Sequence, residues 1–63
     1  MNLETIRIQL IRKGLRLKDI SRVTGIDYDR LQKVVNGYRT PKPHEIIAIA
    51  RVLELPVAEI TGE

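Results

Sequence analysis

The chain has no cysteine and a single histidine, His44. The first absence excludes a disulfide framework and a cysteine zinc site, and one histidine cannot assemble a zinc site by itself. No apolar run approaches the ~18 residues that a membrane-spanning helix needs, and there is no signal-peptide pattern. There is no strand alternation, no internal repeat and no low-complexity stretch. Paired carboxylates, a nucleophile–base set and a phosphate loop are all missing. No enzymatic activity, cofactor or metal is therefore expected. The 63 residues allow one domain at most, taken as residues 1–63. A chain this short buries only ~60% of its unfolded surface, so oligomerisation is the expected extra source of stability. These features together read as a soluble, intracellular protein.

What is present is an uneven distribution of charge. The formal net charge is +3. Residues 7–42 carry ten of the eleven Lys and Arg against three acids, Asp19, Asp27 and Asp29, a net +7. Residues 43–63 carry Arg51 against Glu45, Glu54, Glu59 and Glu63, a net −3. A basic segment of this kind suits a polyanionic partner.

Apolar spacing predicts five short helices. Leu3, Ile6, Leu10 and Ile11 mark a first helix with Asn2 as N-cap and an end near Lys13-Gly14. Ile8 lies off that stripe, free to face a partner. A second helix is expected from Leu17 to Thr24 with Ile20 and Val23 facing inward. A third is expected from Tyr28 to Val35, capped by Asp27, whose side chain suits orphan N–H groups at the positive dipole end. Residues 38–43 read as a loop. Pro43 fits the first position of a fourth helix, where its missing N–H costs nothing. That helix carries Ile46, Ile47, Ile49, Ala50 and Leu53 and is expected to be central. A short last helix follows Pro56 through Val57 and Ile60, with a frayed end.

Residues 15–37 hold the pattern with the most content. Two short amphipathic helices are joined by a tight turn at Gly25, a position that calls for positive φ. Ser21 supplies a small residue where the helices meet, and Ile26 plugs the turn into the core. This is a helix-turn-helix, a unit that most often lays its second helix in the DNA major groove.

On these residues the chain resembles the Cro/cI-type, or XRE, helix-turn-helix family. The likeness runs through Gly14-Leu15, Ser21, Gly25-Ile26, Leu31 with Val34, Asn36-Gly37, Pro43, Ile49 to Leu53, and Val57 to Ile60. It implies an all-α, compact five-helix lambda-repressor-like bundle with the helix-turn-helix at helices 2 and 3. It further implies a bacterial or phage-encoded cytoplasmic regulator, a repressor or Cro-like protein, that binds a double-stranded DNA operator as a symmetric dimer and lies on the nucleoid when bound. The short chain looks more like a Cro-type regulator than a cleavable repressor.

Three departures stand out. The family's Thr or Ser followed by a phosphate-contacting Gln is replaced by Arg16 and Leu17. An Arg–Glu pair between helices one and three is replaced by Leu10 and Val35, which are expected to touch; such a swap is often neutral or stabilising. Glu54 stands where the family often has Gly.

With Leu31 and Val34 turned inward, helix three presents Asp27, Tyr28, Asp29, Gln32 and Lys33. Gln32 can pair with adenine and Lys33 with guanine; Asp29 can accept from cytosine N4, and Tyr28 can reach a base edge or a thymine methyl. The expected base contacts are therefore Tyr28, Asp29, Gln32 and Lys33. Backbone N–H groups after Asn36 and the side chains of Asn36, Tyr38, Arg39, Thr40 and Lys42 are expected to grip phosphates, with Arg16, Lys18 and Arg12 on the other side. Arg22, Arg30 and Arg51 are alternatives for solvated surface. The dimer is expected through Leu55, Val57 and the C-terminal helix, with Ile8 as a lesser contact. The competing reading is a protein-interaction module on the same fold, an antitoxin or bridging factor, suggested by the two acids on the reading face.

Overall fold

The computed structural model describes residues 1–62, and among these every regular element is helical. The elements are α1 (Leu3–Lys13), α2 (Leu17–Thr24), α3 (Tyr28–Val35), α4 (Pro43–Leu53) and α5 (Val57–Thr61). The five helices and their order match the sequence expectation. The expected frayed end reaches Glu63, which lies outside the described residues.

Local chemistry sets the boundaries. Asn2 accepts from the Thr5 N–H and caps α1. Asp27 does the same for α3 through the Arg30 N–H. Arg16 precedes α2 in an extended conformation and has no acceptor to offer. The cap is inverted instead: the Asp19 carboxylate reaches back to accept the Arg16 N–H at 2.9 Å. Gly25 ends α2 at φ 77, the left-handed conformation the turn required. Ser21 Oγ donates to the Ile26 carbonyl, and Thr24 Oγ1 accepts the Ile26 N–H, so the turn is tied from both sides.

Packing gathers α1, α2 and α5 onto α4, while α3 packs on α2. The core is Ile6, Leu10, Ile20, Leu31, Val34, Val35, Ile49, Ala50, Leu53 and Ile60. Leu10 and Val35 enter the same buried cluster, where an ion pair would otherwise need desolvation. Two expectations fail. Val23 is 71% exposed and Ile11 is 80% exposed. Only one side of α2 and α1 has a neighbour to pack on, and these residues fall on the other.

The α4–α5 corner turns at Glu54 in the left-handed conformation that glycine usually takes. Glu54 adopts φ 55 and ψ 43, donates its N–H to the last turn of α4, and pairs with Lys13 at 3.0 Å. A left-handed residue with a Cβ costs roughly 1 kcal/mol, and an exposed ion pair offsets only part of that.

Candidate nucleic-acid interface

The core half of α3 is fixed by Leu31, Val34 and Val35, all buried. The other half is open, and its four candidate readers form two pairs at i, i+4 spacing. Tyr28 and Gln32 make the first: Gln32 Nε2 donates to the Tyr28 hydroxyl at 2.9 Å. Lys18, from α2, lies over the Tyr28 ring with Nζ 5.6 Å from the centroid. One candidate phosphate residue therefore stands against one candidate reader, Tyr28, which in turn bonds a second. Tyr28 and Gln32 are both half-buried, and Lys18 is exposed.

Asp29 and Lys33 form the second pair, both exposed. With Asp27, Arg30 and Arg39 they line an open cleft of about 430 Å³ between α3 and the loop that follows it. Arg39 thus stands beside Lys33 although the two lie on different segments. Asp27 and Asp29 keep this cleft from being uniformly basic.

The loop departs from expectation in one respect. Its backbone donors are already used: Asn36 donates to Gln32 O, Gly37 to Val34 O, and both Tyr38 and Arg39 to Lys33 O. The Lys42 N–H donates to Glu45 Oε1 at 2.7 Å. These bonds close the C-terminus of α3 and the start of α4, where orphan backbone groups need partners. The backbone N–H groups of residues 36–39 and 42 are therefore not free to grip phosphates. The side chains of Asn36, Tyr38, Arg39, Thr40 and Lys42 are all exposed. Arg16 and Arg12 are also exposed.

Sequence reasoning missed what holds the loop. Glu45 is only 4% exposed. Its carboxylate receives Arg30 Nε at 2.6 Å and Arg30 Nη2 at 2.7 Å, a bidentate pair between α3 and α4, together with the Lys42 N–H. Arg30, left as solvated surface by its sequence context, is committed to this bond. The hydrogen bond from Arg30 outweighs burial and holds the Glu45 carboxyl down to about 2, while Arg30 is raised by the same bond. Half of this was legible: Glu45 falls at the third helical position after Lys42, where a carboxylate commonly accepts the cap N–H. A second missed contact joins α1 to the loop, with Arg7 Nη2 donating to Asn36 Oδ1 at 3.0 Å.

Among the described residues no cluster of His, Asp and Glu could hold a metal, and no helix is long and apolar enough to cross a membrane.

The open recognition helix, its basic flanks and the glycine turn define a helix-turn-helix DNA-binding protein. The family model described as helix-turn-helix matches residues 6–60. The chain belongs to that family, the Cro/cI-type or XRE group of DNA-binding transcription regulators. No curated protein and no solved structure matches the chain.

Proposed function

We propose that this protein is a sequence-specific repressor or Cro-like regulator, with residues 1–63 acting as one DNA-binding domain. It binds a palindromic operator as a homodimer, in the bacterial or phage-infected cytoplasm, with α3 in the major groove. Tyr28, Asp29, Gln32 and Lys33 read base edges. Arg16, Lys18, Asn36, Tyr38, Arg39, Thr40 and Lys42 hold phosphates, through side chains in the loop. The observation that carries this reading is the division of α3. One half is locked into the core, and the other offers two i, i+4 polar pairs flanked by Lys18 and Arg39.

The dimer contact is placed at the α4–α5 corner. Leu55 packs against the core and is half-buried there, so Val57, 41% exposed, and the outer face of α5 carry more of that contact than Leu55 does. A two-fold dimer of this kind reads half-sites about one helical turn apart, ~34 Å. Selection of bound duplexes from a random library tests the proposal. It should return a two-fold-symmetric site with that spacing; a pool without enriched sequence would refute specific reading.

One observation favours a second reading. Asp27 and Asp29 line the cleft beside Lys33 and repel phosphates. An antitoxin or bridging factor would use this face to hold a protein. Stoichiometric co-purification of a partner that occludes α3 would support that role.

A further inference from the structure

The loop after α3 has spent most of its backbone donors, so a phosphate reaching it must be met by side chains. One side-chain contact there involves a residue from α1. Arg7 Nη2 donates to Asn36 Oδ1 at 3.0 Å, across 29 residues of sequence. Arginine has only donors, so the Asn36 atom facing it must be the amide oxygen. The Asn36 NH2 beside it makes no hydrogen bond within the protein, so both its hydrogens are open. The ion pairs among the described residues are Lys13–Glu54 and Arg30–Glu45, and Arg7 takes part in neither. Both Arg7 and Asn36 are exposed. The start of α1 also packs close to this loop. Gly37 sits at φ +84, and a Cβ there would lie 3.3 Å from Leu3 Cδ1.

We propose that Arg7 and Asn36 form a composite phosphodiester site on the seam between α1 and the α3–α4 loop. Arg7 supplies the charge and orients the Asn36 amide, and the remaining guanidinium N–H groups and the Asn36 NH2 converge on one backbone phosphate. The pair joins α1 to the end of α3 on the outer surface, beside the buried packing of Leu10 and Val35. This rests on the DNA-binding reading above and adds α1 to the contact surface.

The test is binding of the 63-residue protein to its library-selected duplex across a series of salt concentrations. The wild type, Arg7→Ala, Arg7→Lys, Asn36→Ala and the double alanine variant are compared, with thermal melts confirming that each is folded. Arg7→Ala should weaken binding to all sequences alike and make the slope of log K on log salt shallower by about 0.9 for each bound protomer. Arg7→Lys should keep the slope. Asn36→Ala should cost less in the Arg7→Ala background than alone, because the amide has lost its orienting partner. An unchanged slope in Arg7→Ala, with a steep wild-type slope, overturns this site and leaves the DNA-binding reading intact. A flat wild-type slope overturns both. Titration of the protein with inorganic phosphate alone should shift the Asn36 side-chain amide resonances only weakly. Saturation there at low phosphate would overturn the duplex assignment in favour of a free anion.

Discussion

Replacing Glu45 by Gln should remove a pH dependence that the wild type shows in acid. Glu45 is 4% exposed and accepts two bonds from Arg30 and one from the Lys42 N–H. Its carboxyl is lowered from 4.5 to about 2 in the folded protein, first by the Arg30 hydrogen bond and also by the Lys42 N–H. A shift of that size corresponds to at most about 3 kcal/mol. The Arg30 side chain is 32% exposed, and solvent screening reduces the contribution to about 1–2 kcal/mol. The folded form binds this proton more weakly than the unfolded chain does. Its contribution is therefore full above about pH 4.5 and is lost as pH falls towards about 2. A chain of this size has a total stability of only about 3–9 kcal/mol, so the loss is measurable. Urea unfolding of wild type and Glu45→Gln at several pH values gives the difference directly. The wild type should be more stable by about 1–2 kcal/mol near neutrality, and the two curves should converge in acid. Parallel curves between about pH 5 and pH 2 would refute the argument, since the pair would then contribute nothing that protonation removes.

Two further substitutions probe the corner and the reading face. Glu54→Gly should raise stability by about 0.5–1 kcal/mol, because glycine relieves the φ of 55 at the end of α4. The lost exposed pair with Lys13 cancels part of this, and in a domain of this length the melting temperature should rise by a few degrees. Lys33→Ala should change the preferred base in a library selection, whereas Arg39→Ala should weaken binding to every sequence alike. Unchanged preference in Lys33→Ala would remove Lys33 from the readers.

The helices were legible in the sequence because caps and turn residues act locally. Asn2, Asp27, Gly25 and Pro43 each satisfy a demand made within a few residues of themselves, and each boundary falls where they put it. Periodicity was a weaker guide to burial. Val23 and Ile11 are apolar residues on faces that no helix covers, and a single sequence does not say which side of a short helix has a neighbour. The Arg30–Glu45 and Arg7–Asn36 contacts were not legible for the same reason. Their partners lie 15 and 29 residues apart and meet only after α3 has packed. The exposed side chains of the site could be named from helical spacing. The state of the loop backbone could not, because its N–H groups are consumed by the way α3 ends.

A basic surface around α3 that grips a DNA backbone while α3 reads the bases must release counterions on binding. Salt dependence of binding to the selected duplex measures that release. Arg7, Arg16, Lys18, Arg39 and Lys42 each neutralising a phosphate would give a slope of log K on log salt of about −4.5 per protomer and about −9 for a dimer. A slope near zero would contradict the account, because no phosphate contact forms without counterion release.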